Sequence, residues 1–329
     1  MFSQKTSLAQ ARVAIAPALF AVALATPGIT LAQAPATINQ GDGPFEIEGP
    51  ITAVTPAAGA ISVMGITIHV PVSVAIKSPT ATVTLDQLSG APMPGRYTDQ
   101  PGFIGGTAII TGNVVGGTYE AATVFAEPAE NVLRGPLSCT YPYLRMGGFS
   151  CGDGVELSML TDERMPAGPI RNQFGFAVNP STLQTGTFAA VEGYHGNQDG
   201  VLYVHTMEIN GNAQLAQPGA QVSVQRADCR VRGGGKDEIE VRGGVTNGTG
   251  AVLATGTQVT LTLAQRGNTT RTLSAQVVPS LDSPGFAAYT LKATNLRYDA
   301  AAGCPTVVNV QGTIDGVQIV SPAFEVIAR

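Results

Sequence analysis

The chain has 329 residues with 40 glycines, 22 prolines, four cysteines and no tryptophan, and only 12% of its residues are charged. That length accommodates two or three domains with separate cores, and a net charge of −5 argues against nucleic acid or an anionic lipid surface as partner. With so few charges, the outside must be mostly Thr, Ser, Asn, Gln and backbone, which suits an exported protein rich in strands and turns.

Residues 1–36 read as a secretory signal peptide. Lys5 and Arg12 precede an apolar run from Val13 to Leu24, and small residues follow; the run is too short and too lightly flanked to span a membrane. Cleavage is expected after Ala36, leaving Thr37 at the N-terminus and moving the net charge from −5 to −7, because two cations depart. The first cysteine is Cys139, so no lipid can be attached at a mature N-terminal cysteine. The expected product is soluble, and periplasmic or secreted.

"FEIEGPITAV" (Phe45–Val54) and "NVLRGPLSCT" (Asn131–Thr140) each place a Gly-Pro before an alternating apolar run. In the first copy Phe45, Ile47, Gly49, Ile51 and Ala53 alternate with Glu46 and Glu48, the period of a half-buried strand. A following strand, "ISVMGITIHV", puts Ser62, Met64, Ile66, Ile68 and Val70 on one face. With "TPAAG" as the turn, Val54 pairs with Ile61 and Ala53 faces Ser62. Aligning the Gly-Pro pairs sets Cys139 on Ala53, and aligning Gly154 with Gly65 sets Cys151 on Ser62. Cys139 and Cys151 are therefore expected to form a cross-strand disulfide closing a short hairpin, contributing about 3 kcal/mol through loop entropy.

The two copies also match at their far ends. "GTAIITGNVVGGTYEAATVFA" (Gly106–Ala126) and "GTFAAVEGYHGNQDGVLYVHTMEI" (Gly186–Ile209) each give Gly-Thr, a strand, a glycine turn and a second strand. The connections before them hold at most one short helix each, at "LDQL" and "STLQ". Five strands in about 85 residues suit a small, partly closed barrel, in which closure removes exposed edges. Over residues 44–213 the pattern resembles the small OB-like β-barrel repeats of unknown function in exported bacterial proteins. That resemblance implies barrels at 37–134 and 135–213.

After "NAQLAQPGAQ", which reads as a linker, seven short alternating runs follow within 214–329, from "VSVQRADCRV" to "VQIVSPAFEV". They describe an immunoglobulin- or fibronectin-like β-sandwich without the packed tryptophan of antibody domains. Cys229 and Cys304 are left to pair, a bridge that contributes about 4.5 kcal/mol by loop length. The expected fold class is all-β, with two tandem five-stranded OB-like barrels and a C-terminal sandwich.

Apparent catalytic motifs dissolve on inspection. "GFSCG" (Gly148–Gly152) matches G-x-S-x-G, but Ser150 is followed by a strand and not by the helix of a nucleophile elbow. Asp162 and Glu163 are adjacent on a strand and point to opposite faces, a poor acid–base couple. His195 and His205 bracket "GNQDG", yet hairpin geometry sets them about 13 Å apart, too far for one zinc; both are expected to be exposed, as is His69. Asn197 and Asp199 lack the further carboxylates of a calcium loop. "RVRGGGKDEIEV" lacks the glycine spacing and the Ser or Thr of a phosphate loop, so Glu238, Glu240 and Arg242 are expected to form a charge ladder on a solvated face. No residue pattern calls for a cofactor or a metal. The segment that best suits a ligand is the long Pro/Gly connection Ser89–Gly106, where Arg96, Tyr97, Asp99 and Phe103 could line a binding surface. The expected function is non-catalytic binding or scaffolding in the bacterial cell envelope, with an envelope protein or glycan as partner. An envelope hydrolase using Ser150 or a carboxylate site is the alternative.

Overall fold

The computed structural model describes residues 41–328 except 211–212, 233, 255, 266–268 and 299–302. The expected signal peptide and its cleavage site lie outside the described residues. The protein is all-β, built of several sheets with one short α-helix among the described residues.

The first sheet holds β1 (Gly43–Thr55), β2 (Ala60–Val63), β3 (Ile66–His69), β4 (Ile76–Lys77), β5 (Thr82–Val83), β6 (Thr107–Val115) and β7 (Thr118–Glu127), in the order β3-β2-β1-β6-β7-β4-β5. β3 also runs parallel beside β7, with Ile68 opposite Tyr119, so the sheet curls back on itself. Ala53 faces Ser62 and Val54 faces Ile61 as the alternation requires. The run from Ile61 to Val70, however, is two strands. Met64 and Gly65 adopt φ of +52° and +83° and form a two-residue hairpin turn that needs positive φ twice. The buried side chains are accordingly Ile61, Val63, Ile68 and Val70, and Met64 is exposed at the tip. Helix α1 (Leu85–Leu88) starts at a capping box, in which Thr84 accepts from the Gln87 N–H and the Gln87 side chain accepts in return.

The second sheet holds β8 (Asn131–Pro136), β9 (Arg145–Met146), β10 (Val155–Met159), β11 (Arg171–Asn172), β12 (Phe188–His195) and β13 (Leu202–Asn210). Its order is β8-β12-β13-β10-β9, with β10 parallel to β13 and Leu137 bridged to Met146. The first five-strand ring and this one therefore share a cyclic order. The Gly-Pro pairs occupy the same place, since Ile51 pairs with Val63 as Leu137 pairs with Met146. What differs is the turn lengths, with 147–154 replacing Met64 and Gly65.

Both closing hairpins slip by one residue at a glycine, between Thr111 and Gly112 and between Glu192 and Gly193. The opposing strand bulges towards that glycine. A Cβ would stand 2.0 Å from the Glu120 carbonyl oxygen at Gly112 and 2.0 Å from that of Tyr203 at Gly193, so no larger residue fits without moving backbone. The extra residue is Ala122 in the first hairpin and His205 in the second. This corrects the expectation that His205 is exposed: the bulge turns it inward to 5% exposure. Burial lowers its pKa, and Nδ1 lies 2.9 Å from Thr206 Oγ1.

The C-terminal region contains β14 (Gln221–Val222), β15 (Arg226–Arg230), β16 (Asp237–Thr246), β17 (Gln258–Gln265), β18 (Thr269–Gln276), β19 (Val278–Pro279), β20 (Phe286–Leu296), β21 (Val307–Val308), β22 (Gln311–Ile314), β23 (Val317–Val320), β24 (Phe324–Glu325) and β25 (Ile327–Ala328). One sheet runs β19-β20-β16-β15-β25 with β14 beside β16; another runs β18-β17-β22-β23. The two face each other across one core, in which Val241, Val245 and Leu291 meet Val259, Leu261 and Ile314. All seven runs carry strands, several of them broken. The disulfide Cys229–Cys304, with a Cα–Cα distance of 6.0 Å, ties β15 to the segment before β21. The expected linker is not free chain. Leu215 bridges Val178, and the Asn179 N–H donates to the Gln214 carbonyl at 2.7 Å.

Candidate functional site

The Ser89–Gly106 connection binds the chain itself. Phe103 is fully buried and Arg96 is 9% exposed, which corrects their assignment to a ligand surface. Phe103 joins the first core beside Leu88 and Met93. The Arg96 guanidinium donates to the carbonyls of Gly102 and Ile104 at 3.3 and 3.1 Å, so it braces the loop from inside; burial lowers its pKa. Tyr97 and Asp99 remain exposed. The loop's outer edge is occupied by the second sheet system. Tyr194 Oη donates to the Pro94 carbonyl at 2.8 Å, and Asn197 accepts from the Tyr97 N–H and donates to Gln100. Arg164 donates to the carbonyls of Ala91 and Pro92 while paired with Asp162 at 2.6 Å. Hydrogen bonding from Arg164 holds the Asp162 carboxyl below its ordinary pKa.

These contacts account for several other candidates. Asp162 serves Arg164, and Glu163 accepts from Gln87 at 3.2 Å. Asp199 accepts from the Val201 N–H and from Tyr203 Oη. His195 is exposed and its backbone N–H is bound by Asn131; His69 is exposed at the end of β3. No group of three or more His, Cys, Asp or Glu among the described residues is arranged to hold a metal ion.

An accessible site lies instead at the disulfide Cys139–Cys151. The pairing is the expected one, with Cα atoms 4.5 Å apart, but the bridge is not cross-strand. Strand pairing runs from Leu137–Met146 directly to Met146–Val155, so Cys139 sits in the loop after Leu137 and Cys151 in the turn 147–154. The bond therefore clips two neighbouring loops together. Leu144 and Met146, at 2% and 0% exposure, pin the same segment to the second core. The Ser138 N–H donates to the Arg145 carbonyl at 2.8 Å, and the 2.6 Å ion pair Arg145–Glu156 closes the flank.

On this clipped base stand three exposed aromatic rings. Tyr141, Tyr143 and Phe149 keep 45%, 76% and 107% of their surface. Single exposed apolar residues are ordinary on a protein; three on two crosslinked loops, in a chain with only 6% aromatics, are a local concentration of exposed rings. Rigid aromatics of this kind anchor partners at low entropic cost. Ser150 stands beside them, exposed on the turn, and its Oγ donates to Asp153 at 2.7 Å. The reading of 138–153 as a short hairpin passes over these rings; the signal that finds them is aromatic density between two paired cysteines.

Compared with known proteins, the chain matches no protein-family model and no curated protein.

Proposed function

We propose that this chain is an exported, non-catalytic binding or scaffolding protein of the bacterial cell envelope, whose contact surface is the clipped loop bearing Tyr141, Tyr143 and Phe149. The exposure of these three rings on a disulfide-braced base is the observation that carries the reading. Export and removal of residues 1–36 belong to the same proposal and suit the two disulfides, which persist in oxidising compartments. We read the two amino-terminal rings as OB-like barrels, supported by their shared cyclic strand order, and the C-terminal pair of sheets as an immunoglobulin-like sandwich. In that reading the barrels act as a platform that holds the loop, because a binding loop on a stiff base loses less entropy when it docks.

The test is capture of envelope components by immobilised mature protein. Replacing Tyr141, Tyr143 and Phe149 together by alanine is expected to abolish capture while shifting the melting temperature by no more than about 2 °C, since exposed side chains contribute little to the core. Ser150→Ala is expected to leave capture intact. Undiminished capture by the triple variant would refute the loop as the site, and an esterase or glycosidase activity lost in Ser150→Ala would favour the hydrolase.

A further inference from the structure

The outward face of the β15-β16-β20 sheet has a charge distribution unlike the rest of the chain. Register places Arg226 beside Arg242, Arg230 beside Glu238, and Glu240 between Asp228 and Lys292. Ion pairs lace the rows together. Arg226 pairs with Asp228, and Glu240 takes both Arg242 and Lys292. Glu238 takes Arg232 at 2.9 Å and Arg230 at 3.7 Å. Five cationic groups thus meet three carboxylates, a surplus of two positive charges on a chain whose net charge is −5.

The heights of the charges matter as much as their number. The five cations keep 48–61% of their side-chain surface, whereas the three carboxylates keep 18–27%. The carboxylates therefore lie beneath a cationic outer layer. Glu240 illustrates the arrangement: partial burial pushes its pKa up, but hydrogen bonds from Lys292 and Arg242 outweigh that and hold it low. The face dips into an open depression of about 210 Å³, whose one apolar lining side chain, Ile239, is 1% exposed.

We infer that this face binds a carboxylate-bearing polysaccharide. Charge complementarity selects an anionic ligand, and guanidinium forks match carboxylates in shape as well as charge. A folded protein partner would want a desolvated apolar or aromatic anchor, and the depression offers none. An extended polymer with repeating carboxylates needs none, because it can lie across the outer cationic heads while the carboxylates beneath keep their own partners. The surface is remote in sequence from the Tyr141–Phe149 loop, so the two assignments stand or fall separately.

Binding of polygalacturonate to the mature protein, measured by calorimetry at low salt with neutral dextran as control, tests this. The double variant Arg230→Gln/Arg242→Gln is expected to weaken binding about tenfold or more. Glu238→Gln, which frees Arg230 and Arg232, is expected to strengthen it about threefold. Raising salt should weaken the wild-type interaction, since the heads are exposed and screened. The Tyr141/Tyr143/Phe149 triple variant is expected to bind polygalacturonate as wild type does. Absent polygalacturonate binding, equal or tighter binding of polyglutamate, dextran sulfate or duplex DNA, or a Glu238→Gln change in the same direction as the arginine variant would each overturn the inference.

Discussion

Glu127, at the end of β7, shows how one buried group couples stability to pH. It is 8% exposed, and its pKa is pushed up to about 7, first by burial and then by Glu130, Glu192 and Glu48. An unfolded glutamate titrates near 4.5, so the folded state holds this proton more tightly than the unfolded state. The stability linked to Glu127 is complete below about pH 4.5 and is lost as pH rises through about 7. The full shift would correspond to at most about 3 kcal/mol. Glu127→Gln is therefore expected to raise the melting temperature at pH 8 and to flatten its pH dependence between 5 and 8; parallel curves for variant and wild type would refute the assignment. No pattern in the sequence marks Glu127, because its three carboxylate neighbours come from β1, β12 and the chain after β7.

Among the elements, the clipped loop has the clearest division of labour. Cys139 and Cys151 are 12 residues apart, so their crosslink contributes about 3 kcal/mol in the loop-entropy model. Replacing both by serine is expected to lower stability by about 2–3 kcal/mol in urea titrations and to open the segment between them to limited chymotryptic proteolysis, with the first cuts after Tyr143 or Phe149. Unchanged stability together with first cuts elsewhere would show that Leu144 and Met146 alone hold the segment. The repeat predicted which cysteines pair, because the Gly-Pro and Gly65/Gly154 alignments both survive in the strand order. It misplaced them on paired strands because alignment fixes the ends of the segment, while the lengths of the two turns inside it differ between the copies.

At the scale of the whole molecule, the Ser89–Gly106 connection acts as a strut. The first core takes Phe103 from that connection and Leu160, Met165 and Tyr194 from the second sheet system, and Tyr194 stacks on Tyr203 at 5.3 Å. Phe103→Ala is expected to cost about 3–5 kcal/mol, as expected for emptying a fully buried ring site. Tyr97→Ala, at a half-exposed position, is expected to cost under about 0.5 kcal/mol. Chemical denaturation that gave equal losses for the two would show that the connection is peripheral. The contrast also separates packing from binding, since the sequence groups these two residues in one candidate surface.

Strand content, the doubled Gly-Pro opening, both cysteine pairings and the charge ladder were legible in the sequence, because each rests on local alternation or on spacing along the chain. Tertiary structure decided the rest. Whether Arg96 and Phe103 face solvent, whether His205 is exposed, and whether "NAQLAQPGAQ" is free depend on which distant backbone comes to cover them. Tyr194, Asn197 and Arg164 from the second sheet system cover the first connection and donate to its carbonyls and to Gln100, and nothing local to Ser89–Gly106 encodes their arrival. The outward layering of cations over carboxylates likewise depends on side-chain heights above three adjacent strands, a property of the folded sheet that residue order alone does not carry.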